Sequence, residues 1–396
     1  MYGENKMKNL VLIAFALVAG LFFTAQAGAQ PQVLIDQNTL KIIGDQAYLM
    51  NYADKLEAKL KGKSVGYSFT VISSNGISES RAGGDARRAP DANPRKMTAD
   101  DKFNIASVSK TITAAAVMTL LSQRQPVNGR TPTLDSVVYP YLPTGWTLGA
   151  NVKTITFREL LTHRSGLRCA KEVTYAFLKE CIAGGVNPAD KTAQQYNNSN
   201  FALFRMLIPR LAGFDDSGLA DDDAKSKGYA SFYATYVQRN VFAPISLRGI
   251  DLKPIAINPA LAYQYPSPVI AGESFGDMTE TSASRGWNMS SRQLATFING
   301  LLYTEKIVPK TVAEKMKADQ LGLWQANIGG KIVDYEHGGH YPGKNAQGAL
   351  WNSGEMNTMI AAFPNGVSVA IIINSQFGPN QNIANAAREA MNEMPK

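Results

Sequence analysis

Cysteine and histidine are scarce: 396 residues hold two of the first and three of the second. So few ligands form no C-x-x-C or H-E-x-x-H grouping, which argues against a metal centre. Neither G-x-G-x-x-G nor G-x-x-x-x-G-K-[ST] occurs, so no nucleotide cofactor is supported and no cofactor is expected. Lys and Arg total 40 against 32 Asp and Glu, a net charge of +8. That excess contains no run of five or six basic residues, and a nucleic-acid partner is not expected. After the first thirty residues no stretch is long and apolar enough to span a bilayer. With 45% hydrophobic and 18% charged residues, the chain is globular rather than disordered.

The N-terminus carries a different pattern. Lys6 and Lys8 precede an apolar run from Leu10 to Phe23, followed by the small-residue sites Ala25-Gln26-Ala27 and Ala27-Gly28-Ala29. A charged head, a short apolar stretch and an A-x-A site describe a secretory signal peptide, here residues 1–29. The mature protein is then expected to be periplasmic or secreted, without a stable membrane span. In an oxidising compartment Cys169 and Cys181, the one available pair, are expected to form a disulfide.

Helical spacing of Leu40, Ile43, Leu49, Tyr52, Leu56 and Leu60 predicts a helix over Thr39–Lys63. Val65, Tyr67, Phe69 and Val71 then alternate, with a hairpin turn at Asn75-Gly76. The Gly-, Pro- and Arg-rich stretch Arg81–Pro94 reads as an exposed loop. A helix follows over Ser107–Leu121. From about Gln125 to Met289 strand patterns are few; short helices are predicted at Phe157–Thr162 and Asn200–Leu211, and the acidic stretch Asp215–Lys227 reads as a solvated loop rather than a Ca²⁺ site. Strand pairs return at Leu323–Ile328 with Lys331–Tyr335, and at Met356–Phe363 with Val367–Asn374. A last helix is predicted over Ile383–Met394. The fold class expected is α+β: an antiparallel sheet flanked by N- and C-terminal helices, from residues 30–124 and 290–396, with a mostly helical domain, 125–289, inserted.

Three clusters carry chemistry. In Ser107-Val108-Ser109-Lys110, positions i and i+3 of a helix share a face, so the Lys110 amine comes within reach of the Ser107 hydroxyl. A serine is a poor nucleophile until a neighbour takes its proton, and a desolvated lysine is competent to do so. Ordinary helix capping would use the same Ser107. Tyr196-Asn197-Asn198 is the second: a phenol near ammonium groups is driven toward phenolate and can act as a base, and the Asn198 amide can hold a lysine and a substrate together. Alternatively this is a loop capped by Asn198 or Ser199. The third, His337-Gly338-Gly339 with Pro342-Gly343, would let backbone N–H groups approach an oxyanion, or form a Gly-rich hairpin turn.

Taken in order, these clusters resemble the serine β-lactamase and penicillin-binding-protein superfamily, in its class C β-lactamase, D-Ala-D-Ala carboxypeptidase and family VIII esterase branch. Phe103–Lys110 is similar to the first motif and Tyr196–Phe201 to the Y-x-N element. Leu160-Leu161-Thr162-His163-Arg164-Ser165-Gly166-Leu167 resembles L-L-T-H-x-S-G-L, Val241–Ile245 resembles F-x-P-L, and His337-Gly338-Gly339 resembles the H-x-G form of the third motif. Gly286–Ser291 resembles the segment before the late helix.

The resemblance implies a β-lactamase/transpeptidase-like fold and an exported serine hydrolase. Ser107 would be the acylated nucleophile, Lys110 its proton-handling neighbour and Tyr196 the general base. Asn198 would position lysine and substrate, and the backbone N–H groups of Ser107 and His340 would form the oxyanion hole beside Gly339. His337 would line the pocket opposite Tyr196, and His163 would brace the loops. Two departures stand out: His337 replaces a lysine, and Gly338 a hydroxyl residue, that together hold a substrate carboxylate in true β-lactamases. A DD-carboxypeptidase-like enzyme acting on D-amino-acid peptides or peptidoglycan stems leads; a carboxylesterase or weak β-lactamase is the alternative. A non-catalytic penicillin-binding or envelope-interaction protein is the reading from another class.

Overall fold

The computed structural model describes residues 37–395, except 124, 128, 130, 170–172, 267–270, 343–353 and 379–380. The signal-peptide segment 1–29 and Gly343 lie outside the described residues.

Seven antiparallel strands form the sheet, in the order β3-β2-β1-β9-β8-β7-β6. They are β1 (Gly66–Ser73), β2 (Ser78–Arg87), β3 (Arg95–Lys96), β6 (Trp324–Ile328), β7 (Lys331–Tyr341), β8 (Met356–Ala362) and β9 (Val367–Ile373). β4 (Phe103–Asn104) and β5 (Asn288–Met289) make a separate short pair. The centre joins the two ends of the chain, Tyr67 of β1 pairing with Ile373 of β9. β8 and β9 are buried on both faces, save Asn357, which explains why they read as continuous apolar runs rather than alternating ones.

On one face lie α1 (Gln37–Leu60) and the C-terminal helix α10 (Ile383–Asn392). Leu49, Tyr52, Ala53, Leu56 and Leu60 recur at helical spacing and are buried against Phe69, Val71, Val369 and Ile371. Each of these leucines contributes roughly 1.5–3 kcal/mol when fully buried. The other face carries α8 (Ser291–Tyr303) and, beyond it, the helical middle of the chain. There α2 (Ser109–Ser122), α3 (Phe157–Leu161), α4 (Tyr175–Gly184), α5 (Asn198–Ala202), α6 (Phe204–Leu211) and α7 (Asp222–Val237) surround the largest core cluster. α9 (Lys310–Ala318) leads from α8 toward β6. The fold is thus α+β, with the antiparallel sheet between the terminal helices and the helical body.

Several local expectations are corrected. Arg81–Pro94 is a loop only in its second half: β2 runs to Arg87, because Gly83 and Gly84 press against Tyr67 and Val65 where a Cβ would collide, and the loop begins at Arg88. Their glycines serve close strand approach rather than a turn. Nor is Asp215–Lys227 simply solvated. Asp216 is fully buried, accepting from the Thr144 amide at 2.9 Å and hydroxyl at 2.8 Å, with the Arg210 guanidinium at 3.1 Å. Burial alone would push this carboxyl up, but the Thr144 hydrogen bonds and the Arg210 charge hold it below its usual value. Asn200–Leu211 is two helices, and β7 continues through His337-Gly338-Gly339 to Tyr341, so the third cluster is strand rather than turn.

Removing a buried ion's partner is costly. Asp216→Ala is therefore expected to destabilise the fold by about 3 kcal/mol, read from the urea midpoint; an unchanged midpoint would show that the pair is not part of the core.

Candidate active site

The turn that carries Ser107 is built under constraint. Ala106 sits at φ 44°, in the left-handed region that non-glycine residues rarely adopt, and Ser107 follows in a single 3₁₀ turn, Ala106–Val108, that runs into α2. The Asn104 side chain accepts from the Ala106 amide at 2.8 Å, and the Ile105 amide donates to the Trp287 carbonyl at 2.9 Å. This last bond and the β4–β5 pair bring residues 284–289 beside the turn.

Lys110 is fully buried, and its Nζ has three partners: Ser107 Oγ at 2.9 Å, Asn198 Oδ1 at 2.8 Å and the Ser284 carbonyl at 2.8 Å. Burial, and then the charge of Arg285, hold its pKa well below the usual lysine value. A neutral amine has two N–H groups and one lone pair. Two of the three partners are carbonyl oxygens, which can only accept, so an amine that keeps those two bonds and loses its third proton would turn its lone pair toward Ser107. Asn198 is free for this because Asn197, not Asn198 or Ser199, caps α5: its Oδ1 accepts from the Ser199 amide, while its Nδ2 donates to the Leu167 and Cys169 carbonyls. Cys169 and Cys181 are disulfide-bonded.

The Tyr196 hydroxyl donates to Ser107 Oγ at 2.7 Å, with the Lys110 amine 4.9 Å from its ring centre. Half of the Tyr196 surface is open, but the hydroxyl end is desolvated, and burial pushes the phenol up to about 12 against a smaller lowering by Ser107. Tyr196 is a neutral phenol at rest, not the phenolate expected from its neighbours, because burial disfavours the charged form more than the Ser107 hydrogen bond favours it.

His337 and Gly339 come from β7. The β6 pairing of that strand ends at Trp324↔Glu336, and residues 337–341 continue paired with β8. A Cβ on Gly339 would strike the Ile105 carbonyl and the Thr358 hydroxyl, which already donates to Ile105 at 2.9 Å. Strand and Ser107 turn can touch only through a glycine. His337 is buried, and its Nδ1 lies 2.8 Å from the Gly338 carbonyl, so Nδ1 carries the proton and Nε2 does not. Burial, and then Lys110, lower its pKa to about 3, leaving it neutral across the physiological range. His340 follows on β7 with its side chain turned to the surface, 3.0 Å from Glu355.

A cavity of about 660 Å³ opens at Ser107, lined among others by Tyr196, Trp324, His337, Glu336 and Glu355. Among the described residues no Lys or Arg lines it. Glu336 is ion-paired to Arg388. No group of three or more His, Cys, Asp or Glu among the described residues could hold a metal ion, and no helix there is long and apolar enough to cross a membrane. Ser107, Lys110, Tyr196, Asn198, His337 and Gly339 thus meet at one place. The sequence did not reveal the Ser284 carbonyl, a backbone group with no side-chain signature, or Trp324, whose aromatic character was absorbed into a strand pattern.

A family model described as Beta-lactamase matches residues 52–392. Among solved structures, the chain is similar to a D-stereospecific amidohydrolase from a Streptomyces species (19% identity, 86% of this chain and 98% of that one, TM-score 0.60). It is also similar to the D-amino acid amidase of Ochrobactrum anthropi complexed with L-phenylalanine amide (18%, 86% and 99%, 0.63) and to FmtA of Staphylococcus aureus (14%, 87% and 89%, 0.63). At these identities the likeness is one of fold.

Two outcomes follow. Gly339→Ala should slow fluorophosphonate labelling of Ser107 by about 100-fold, the cost of a misplacement near 1 Å, whereas Gly338→Ala, with nothing nearer than 3.9 Å, should alter it little. Equal rates would disprove the close-approach argument. Between the lowered pKa of folded Lys110 and the ordinary unfolded value, the unfolded state holds the extra proton, so stability rises with pH. The stability difference between wild type and Lys110→Gln should therefore widen in favour of wild type from pH 7 to 10, by at most about 1.4 kcal/mol per pH unit; parallel urea titrations would show a lysine that stays charged.

Proposed function

The chain belongs to the Beta-lactamase family of serine hydrolases, and from that premise we propose an exported acyl-transfer hydrolase that cleaves D-amino-acid amides or peptides through an acyl-enzyme at Ser107. The observation that carries the reading is the contact set around Ser107 Oγ, with Lys110 and Tyr196 both in hydrogen-bond range.

In the proposed cycle Ser107 Oγ bonds to the substrate carbonyl carbon as its proton passes to Lys110 Nζ. The tetrahedral oxyanion is received by the backbone N–H groups of Ser107 and His340. The carbon–nitrogen bond then breaks, the leaving nitrogen taking the Tyr196 hydroxyl proton, which Lys110 replaces. Net transfer is one proton from serine to leaving group. Water next adds to the ester, giving up a proton through the same groups, and the acid and Ser107 are released.

Support for the substrate class comes from the cavity. His337 is neutral, position 338 has no hydroxyl, and the lining has carboxylates but no Lys or Arg among the described residues. Such a pocket disfavours the free carboxylate of a DD-carboxypeptidase or β-lactam substrate, and suits uncharged or amine-bearing amides. The fold it shares with a D-amino acid amidase accords with this. The same neutrality favours simple esters as a second reading. Export is proposed from the N-terminal pattern, and the disulfide suits an oxidising compartment.

The test is a substrate panel on the purified chain: D-phenylalanine amide, p-nitrophenyl acetate and an N-acyl-D-Ala-D-Ala peptide. The amide should exceed the carboxylate-bearing peptide in kcat/KM by about tenfold, some 1.4 kcal/mol. Ser107→Ala should abolish all turnover, and His337→Lys should narrow the gap. Turnover surviving Ser107→Ala refutes the acyl-enzyme, preference for the peptide refutes the substrate class, and ester cleavage alone selects the second reading.

A further inference from the structure

His163 is a buried histidine for which the proposed cycle has no use. Its backbone stands at φ 55°, a left-handed conformation for a residue with a Cβ. Three of its contacts fall on three consecutive residues. The His163 carbonyl accepts from the Gln195 amide at 2.8 Å, and Nδ1 accepts from the Asn197 amide at 3.2 Å. Between them, the ring lies against Tyr196, with centres 4.6 Å apart and planes 34° from parallel. Phe201 at 5.1 Å and Trp324 at 5.8 Å, the latter nearly parallel at 9°, hold the imidazole from other sides.

An amide N–H can only donate, so Nδ1 is the bare nitrogen and the proton of the neutral ring is on Nε2. The Asn200 side-chain amide, 3.2 Å away, shares that same acceptor. Residues 194–197 form no helix or strand, so no ladder of backbone bonds aims Tyr196. Its ring is also half open to the cavity and lacks full packing. Orientation must come from the chain on either side, which is where His163 takes hold.

We propose that His163 is the positioning residue of Tyr196: it clamps the amides at 195 and 197 and supports the ring between them, fixing the phenol hydroxyl on Ser107 Oγ. The inference rests on the acyl-transfer reading, since it acts only through the Tyr196 hydroxyl. The left-handed turn at 163 lets one residue present its carbonyl and its ring to the same segment. Trp324, on the edge strand β6, ties that clamp to the sheet that carries His337 and Gly339.

The full chain is assayed with p-nitrophenyl acetate for kcat and KM, and with a fluorophosphonate for Ser107 labelling. His163→Phe keeps an aromatic ring and removes the acceptor; His163→Asn places Oδ1 where Nδ1 was and keeps it. The Phe variant should lose about 50-fold in kcat with KM within about threefold, the signature of a transition-state rather than a binding defect. The Asn variant should recover to within about fivefold of wild type. In a Tyr196→Phe background, His163→Phe should cost less than about twofold more, because the two act as one unit.

Equal losses in both backgrounds would make His163 a general structural residue and overturn the proposal, as would a Phe variant of unchanged kcat. If His163→Phe does not fold, His163→Asn decides: a folded Asn variant as slow as Tyr196→Phe overturns it, and one near wild type supports it. Wild-type hydrolysis indifferent to Tyr196→Phe refutes the role of Tyr196 itself, a failure separate from that of His163 in a Tyr196-dependent enzyme.

Discussion

An amine held out of water organises this molecule. Lys110 sits beneath the Ser107 turn with no solvent contact, and its three neighbours come from three parts of the chain: Ser107 one turn away, Asn198 from the start of α5, and the Ser284 carbonyl from the segment before β5. Burial penalises the charged form, and together with the charge of Arg285 it holds the Lys110 pKa well below the ordinary lysine value. The fixed carbonyl partners in turn set where a lone pair would point once the amine gives up a proton. Burial of one side chain thereby links packing to proton transfer, and the strained residues Ala106 and Ala283 flank the places where the enclosure closes.

The same burial acts outward. Two histidines near the site stay unprotonated, and the Tyr196 phenol stays protonated. Around the Ser107 hydroxyl the phenol and both imidazoles are neutral groups. The site is preorganised through backbone groups: the Asn197 amide on His163, the Ile105 amide on Trp287, the Thr358 hydroxyl on the Ile105 carbonyl. Electrostatic work in such a site falls to oriented dipoles.

What the sequence disclosed follows how local each feature is. Ser107 and Lys110 were legible because an i, i+3 relation on a helix is short-range geometry. The helix at Leu49–Leu60 and the runs of β8 and β9 were legible because burial imposes a period or a continuous apolar run. Tyr196 and His337 could be joined to them only through the order of motifs, since nothing in the spacing of distant residues states that they meet. β2 was misread because Gly83 and Gly84 carry the signal of a turn while serving close strand approach. The Ser284 carbonyl has no signature at all, as every residue has one. Asp216 was missed because an acidic cluster looks solvated until Arg210 and Thr144 are seen to enclose one member.

The pairing of β1 with β9 sets a rule of assembly. Tyr67 meets Ile373 across some three hundred intervening positions, and between them β8 and β7 bring Gly339 against the serine turn. Contacts of such long sequence range form late and slowly. A nascent polypeptide emerging from its N-terminus would carry its serine and lysine long before the strands that complete their surroundings. The surroundings of Ser107 are therefore complete only once the last tenth of the molecule, which holds β9, closes the sheet.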